Sequence, residues 1–451
     1  MKILFTSLGC DKNLVDTEVM LGELAKAGYL FTDEEAEADI VIINTCCFIR
    51  DAKEESIEAI LSMAELRKTG QIKALLVTGC LAERYQEEIQ KEIPEVDAIL
   101  GITDIYGIVQ AVEETLAGNA KNHIGEGASA PIPRTKRIVT TGGHYAYLKI
   151  AEGCDKHCTY CIIPKIRGNY RSVPMENLLE EAAYLAAQGV QELILVAQET
   201  TLYGVDLYGK KMLPELLRRL CKTEGLHWIR ILYCYPEEIT EELVEVIKQE
   251  KKICHYLDIP IQHASDEVLK RMGRRTSEAD LRKIIAMLRS EIPDICLRTT
   301  LISGFPGETK EDFIELYQFV NETEFDRLGV FAYSAEEDTP AALMPDQIPE
   351  EIKEKRRNEL MELQQEIAFE KAAGKKGQIL EAVVEGYLPE EHIYVARTYM
   401  DAPNVDGYLF FEAEREIDSG SFVKVEVTDS NDYDLVGVEV LWEDRENEFT
   451  E

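Results

Sequence analysis

The feature that most constrains the fold is a change of hydrophobic period near Gly374. Before that point, short apolar runs alternate with stretches whose apolar residues recur every three or four positions. After it the recurrence is every second residue, broken by Gly, Pro, Asn and Asp. The first pattern belongs to βα units, whose parallel strands are covered by helices. The second belongs to short strands that bury one face.

Two blocks separate within the first pattern. Residues 2–118 carry apolar runs at Ile3–Leu8, Asp39–Asn44, Ala74–Thr78 and Ala98–Leu100, with helical stretches such as Asn13–Gly28 and Ala52–Lys68 between them. They predict an N-terminal domain, 1–118, built on a doubly wound parallel sheet. Residues 119–143 lose the pattern, gather Gly, Pro and small residues, and read as a linker. From Tyr145 candidate strands follow at Tyr145–Ile150, Gln191–Val196, Trp228–Tyr233, Tyr256–Ile259, Ile295–Ile302 and Arg327–Tyr333. This spacing suits a central domain, 144–373, shaped as an open, partial (β/α)6 barrel and closed off by the charged helix Glu350–Lys371. Residues 374–445 predict a small antiparallel β-barrel of about five strands.

No run of about 18 apolar residues occurs, and MKILFTSLG turns polar too early for a signal peptide. A cytoplasmic location without a membrane span is expected. There thiols stay reduced, so eleven cysteines point to metal or catalysis before disulfides. The net charge of −36 repels phosphate backbones and steers basic partners, although it is also what a highly soluble protein carries.

Cys154, Cys158 and Cys161 form CxxxCxxC directly after the first central strand. Three thiolates hold three irons of a 4Fe-4S cube, which normally takes four cysteines, so one iron stays open to an outside ligand. A zinc site would want a fourth ligand, and His157 sits inside the loop at the wrong spacing for the usual pairs. A second trio, Cys10, Cys46 and Cys80, falls at the carboxyl ends of three predicted strands, LFTSLGC, IVIINTC and LLVTGC. Ligands of doubly wound sheets gather at those ends, so the three can converge. Three buried core cysteines are the alternative. Cys47, Cys221, Cys234, Cys254 and Cys296 share no such slot.

CxxxCxxC with Tyr160 before its last cysteine, on the first strand of a partial barrel, resembles the radical S-adenosylmethionine (SAM) superfamily. The whole chain resembles the methylthiotransferases, with SLGCDKN, INTCCFI and VTGCLAERY matching their N-terminal cluster segments and the tail their TRAM (OB-like) barrel. SLGCDKNLVDTE, CDKHCTYCIIPKIRGNYRS, LVAQETTLYGVD, YLDIPIQHAS and LRTTLISGFPGET look like the branch that modifies an aspartate of small ribosomal-subunit protein twelve.

The resemblance implies two 4Fe-4S clusters, one on Cys154, Cys158 and Cys161, the other on Cys10, Cys46 and Cys80. The family mostly has Gly where Cys47 stands, so either Cys46 or Cys47 is the second ligand; Cys46 is chosen for its place in NTC. It further implies that one SAM donates a methyl group to sulfur at the N-terminal cluster. A second is cleaved at the central cluster, and its radical takes a hydrogen from the aspartate β-carbon, which then receives the methylthio group. Tyr160 would lie against the adenine, and Gly304, Gly307 and Glu308 of LISGFPGE resemble the turn that faces it, although an ordinary βα turn reads the same way. Lys165, Arg167 and Arg171 are candidates for the SAM carboxylate or an acidic substrate, or are solvated charges; His263 is a candidate for the barrel mouth or a structural histidine. A flavodoxin or ferredoxin is the expected class of electron donor.

Two other functions compete. A tRNA methylthiotransferase would share the clusters, but residues 374–451, expected to face substrate, hold 20 Asp plus Glu against 6 Lys plus Arg, a net −14. RNA-binding barrels are basic or present stacking aromatics, so tRNA is disfavoured. A non-catalytic electron carrier would supply a fourth cysteine to each cube.

Overall fold

The structure, a computed structural model, describes residues 1–125 and 136–440. The middle of the predicted linker and the end of the predicted tail domain, 441–445, lie outside the described residues.

The N-terminal domain is a five-stranded sheet of β1 (Lys2–Ser7), β2 (Leu30–Thr32), β3 (Ile40–Thr45), β4 (Ala74–Gly79) and β5 (Ala98–Leu100), in the order β2-β1-β3-β4-β5. Every pairing is parallel. β3 and β4 are buried along their whole length, because apolar layers cover both faces of the sheet. The order reverses between β1 and β3, and at such a switch point the loops leaving the carboxyl ends diverge and open a crevice. The helices α1 (Asp11–Lys26), α2 (Arg50–Lys68) and the short α3 (Cys80–Arg84) follow β1, β3 and β4.

The central domain is an open six-stranded sheet. Strand β6 (Tyr145–Lys149) is followed by a short antiparallel pair, β7 (Ala151–Glu152) and β8 (Arg171–Ser172), that brackets the CxxxCxxC loop. Next come β9 (Glu192–Val196), β10 (Trp228–Ile231), β11 (Ile253–Asp258), β12 (Cys296–Ser303) and β13 (Arg327–Ala332). The sheet order β13-β12-β11-β10-β9-β6 runs in sequence, and all its pairings are parallel. Side chains alternate across it. Ala146, Leu148, Leu193, Leu195 and Ile229 pack beneath the helices, whereas Tyr145, Tyr147, Ile194, Trp228 and Tyr256 face the C-terminal barrel.

That barrel closes in the order β14 (Ile379–Leu388), β15 (Ile393–Thr398), β16 (Leu409–Glu412), β18 (Asp434–Glu439) and β17 (Phe422–Asn431). The expected antiparallel barrel is corrected in one place: β16 and β18 pair in parallel. The reason is parity, since an odd ring of strands cannot alternate direction all the way round. The position of the barrel is set by its contacts with the central sheet. The barrel meets the sheet on its inner face and at the amino ends of the strands, where His227 stacks on Phe422 at 3.8 Å and Gln191 donates to the Gly420 carbonyl at 2.8 Å. A buried ion-pair chain fixes it there, with Glu192 held between Arg230 and Arg397, each at 2.8 Å. The exposed acids Glu412, Glu414, Glu416 and Asp418 therefore belong to a module anchored at the end of the sheet opposite the cysteine loops.

The later part of the predicted linker is a bound strap. Arg137 is buried and pairs with Glu18 of α1 and, at 2.8 Å, with Glu181 of the central domain. Thr140 N–H donates to Glu18 at 2.7 Å. Among the described residues, no helix is long and apolar enough to cross a membrane.

Candidate active site

Cys10, Cys46 and Cys80 stand on the loops after β1, β3 and β4, at the switch-point end of the N-terminal sheet. Gly9 brings the first two together: it has φ +88°, and a Cβ there would lie 2.6 Å from Cys46 Cβ and 2.8 Å from Cys46 Sγ. Only glycine tolerates both the conformation and the approach. Asn13, fully buried on α1, ties the three loops to one another. Its amide donates to the Leu8 carbonyl at 3.0 Å and the Thr45 carbonyl at 2.9 Å, and its Oδ1 lies 3.8 Å from Cys80 Sγ. Cys10 caps α1 and Cys80 begins α3. Cys47 is fully buried in the same apolar layer as Cys80, with Arg84 as its charged neighbour.

The central trio is local. Gly153, at φ +78°, enters the loop against the backbone of Asn169, whose carbonyl carbon would lie 2.7 Å from a Cβ there. Cys154 N–H then donates to the Gly168 carbonyl at 3.1 Å, and Cys161 N–H to the Cys158 carbonyl at 3.0 Å. The Tyr235 hydroxyl is 3.5 Å from Cys158 Sγ, and the Arg274 guanidinium lies 4.2 Å from the Tyr235 ring centroid. Tyr160 packs on Val268, Met272, Phe305 and Tyr333, meeting Phe305 edge-on at 6.4 Å. Phe305 sits inside the turn Gly304–Glu308, so the structure brings Tyr160, Gly304 and Gly307 together. Glu308 is spent within that turn. Its buried carboxylate accepts from Gly304 N–H at 2.7 Å and Phe305 N–H at 3.2 Å and pairs with Arg356 at 2.7 Å.

The segment after Cys161 packs on the N-terminal domain, with Ile162 and Ile166 in the apolar layer that holds Cys80. Arg167 extends the contact. Its guanidinium donates to Cys80 Sγ at 3.5 Å, to Glu152 at 2.9 Å, to Asp16 at 3.2 Å and to Asn13 Oδ1. Lys149 completes the cluster by pairing with Asp16 and, at 2.8 Å, with Glu152. Burial would raise the Glu152 carboxyl, but Arg167 and Lys149 outweigh it and hold it well below the usual carboxylate range. A second bridge runs through Tyr233, whose hydroxyl donates to Asp11 at 3.0 Å and whose ring lies 3.4 Å from the Lys12 ammonium.

Of the weaker candidates, Lys165 is exposed and Arg171 lies on β8. His263 is fully buried, accepts at Nδ1 from Ser265 N–H at 3.0 Å, and has Glu308 3.6 Å from Nε2. Sequence reasoning missed Asn13 and Lys12, although both stand in SLGCDKN, and the tyrosines of ILYCYP. It also missed Glu199, a buried carboxyl pushed up to about 7 by burial.

The donor sets fit iron–sulfur clusters. All six thiols are free, and burial pushes Cys80 and Cys161 up to about 12 and Cys154 up to about 11. Such thiols ionise when a metal binds them. Among the described residues, no His, Cys, Asp and Glu side chains form a group suited to a single metal ion.

Residues 2–101 match the family described as uncharacterized protein family UPF0004, residues 148–320 the radical SAM superfamily, and residues 377–440 the TRAM domain. The chain is 61% identical to the ribosomal protein uS12 methylthiotransferase RimO of Lachnoclostridium phytofermentans over 97% of this chain and 99% of that protein. The chain belongs to the RimO family of radical SAM methylthiotransferases. Its likeness to the family runs end to end in other members too. The proteins of the same name from Clostridium botulinum strain Loch Maree and Clostridioides difficile are 51% and 49% identical, covering 97% and 98% of this chain and 98% and 99% of theirs. Among solved structures, the radical SAM methyltransferase TsrM of Kitasatospora setae shares the fold, with a TM-score of 0.54 at 13% identity over 73% of this chain and 72% of that one.

Proposed function

We propose that this protein installs a methylthio group on the β-carbon of an aspartate of ribosomal protein uS12. The observation that carries the reading is the pairing of two thiol trios across one buried interface, in a chain 61% identical throughout to a protein named for that activity. Cys10, Cys46 and Cys80 would hold one 4Fe-4S cluster, and Cys154, Cys158 and Cys161 the other. When bound, the clusters and SAM supply homolytic cleavage of an unactivated C–H bond and the methylthio sulfur, chemistry beyond any acid–base side chain.

The residues of the chain hold and enclose. Tyr160 with the Gly304–Gly307 turn offers an aromatic and backbone wall for an adenine, and Glu308 braces that turn from within. Arg167 holds the Cys80 loop to the central domain, at Cys80 itself and through Asn13 Oδ1, which fixes the spacing of the two sites. Alignment of this kind, in a site closed to water, is the protein's share of the work. The partner is basic uS12, drawn by the net charge of −36, and a flavodoxin or ferredoxin would supply electrons.

The test is mass spectrometry of uS12 and of bulk tRNA from cells with and without this protein. One methylthio group on one aspartate of uS12, present only with the protein, is the expected result. An unmodified uS12 together with a methylthio nucleoside that depends on the protein would overturn it in favour of tRNA.

A further inference from the structure

Asp11 and Lys12 stand between Cys10 and Tyr233, and neither holds a loop in the way Asn13 and Arg167 do. Cys10 precedes the pair directly. On the far side Tyr233 touches both residues, and two positions along the same chain Tyr235 reaches Cys158 at 3.5 Å. Both side chains are only 9% exposed.

Each keeps bonding capacity in reserve. Lys12 Nζ donates to Asp11 Oδ1 at 3.0 Å and faces the Tyr233 ring, which leaves one of its three N–H donors. Asp11 Oδ1 takes both Lys12 and the Tyr233 hydroxyl, whereas Oδ2 is buried with no hydrogen-bond partner. A buried carboxylate oxygen without a donor is unfavourable and points to a ligand that supplies one. Neighbouring cations are already engaged: Arg167 by Asp16, Glu152 and Asn13, and Lys156 by Glu237 and Glu238.

We infer that the Asp11–Lys12 pair selects an aspartyl residue, Lys12 Nζ taking its side-chain carboxylate and Asp11 Oδ2 accepting an N–H of its main chain. This rests on the proposed function, in which the substrate is an aspartate of uS12. A peptide aspartate carries an anionic acceptor and an amide donor a few bonds apart, which matches an ammonium and a carboxylate held side by side. An asparagine offers the ammonium only a neutral amide oxygen in place of a carboxylate, so it forfeits the stronger, charge-assisted hydrogen bond.

The test titrates the full-length protein, with both clusters reconstituted anaerobically, against two forms of purified uS12 by fluorescence anisotropy. One form is native; the other carries Asn at the aspartate that the wild-type enzyme modifies. The wild-type protein should bind the native form on the order of tenfold more tightly. Lys12→Met should bind both forms alike with unchanged iron content and cluster EPR spectra, and Lys12→Arg should recover part of the discrimination. Asp11→Asn should weaken both forms equally. Coupling between a lysine of the enzyme and a carboxylate of the substrate is something a merely structural lysine does not produce. Full discrimination in Lys12→Met, no discrimination in the wild type, or iron lost from Lys12→Met would each overturn the inference. Wild-type protein that neither binds nor modifies uS12 would remove the proposed function and this inference with it. Normal modification by the wild type with discrimination intact in Lys12→Met would remove the inference alone.

Discussion

The two thiol trios are assembled by opposite routes. The central one lies within residues 154–161, and its shape is set by the glycine that enters the loop and by short-range backbone bonds. The N-terminal one is gathered from loops after three different strands, so its shape depends on the order of the whole sheet. It then needs help that the central trio does not: a buried asparagine stitching the loops and an arginine from another domain against Cys80. A site built on one loop resists distant damage. A site built by topology transmits it.

The comparison can be broken most directly at the central loop. Replacing Cys154, Cys158 and Cys161 together by Ala should lower the iron content from about eight per chain to about four and abolish SAM cleavage. Iron assays and chromatography of 5′-deoxyadenosine measure both; a full iron load in this variant would refute the central assignment. A smaller effect is expected from Asn13→Ala, which leaves the Leu8 and Thr45 carbonyls without a donor and should cost roughly 1–3 kcal/mol in thermal or denaturant unfolding. Its iron loss should fall on the N-terminal site alone. Equal loss at both sites would show that the two trios do not differ in their dependence on remote groups.

Smaller still is the change expected at Cys47. Because Gly9 closes on Cys46, whereas Cys47 has Arg84 as its charged neighbour, Cys47→Ala should keep its iron while Cys46→Ala loses it. The reverse pattern would exchange their roles. The smallest effect concerns the acidic barrel. Reversing Glu412, Glu414, Glu416 and Asp418 to Lys should slow uS12 association, and more at 0.1 M salt, where the Debye length is about 10 Å, than at 1 M, where it is about 3 Å. SAM cleavage should not change, since the barrel is anchored at the far end of the sheet. Association that ignores salt would remove steering from the account.

How much of this was legible depended on the range of the information. The βα alternation and the CxxxCxxC spacing are local, and they announced the two parallel sheets and the central trio. Cys10, Cys46 and Cys80 were legible only because each followed a recognisable strand. What stayed hidden was pairwise and distant. Arg167 looked like any of three cations after the cluster loop until its contacts with Asp16 and Cys80 were seen. Glu308 looked like a ligand residue because its turn did, yet its carboxylate is consumed by Gly304 and Phe305. Where the barrel docks was not legible either, because charge does not record which end of a sheet a domain packs on; the side chains Trp228 and Phe422 carry that contact.

The central claim is a division of labour, with sulfur handled at the N-terminal trio and the radical generated at the other. It is tested most directly by changing Cys10, Cys46 and Cys80 together to Ala, supplying SAM, a reductant and uS12, and measuring 5′-deoxyadenosine and the modified protein in the same reaction. Continued 5′-deoxyadenosine formation with no methylthiolated uS12 is the result expected. Methylthiolated uS12 from this variant would contradict the claim.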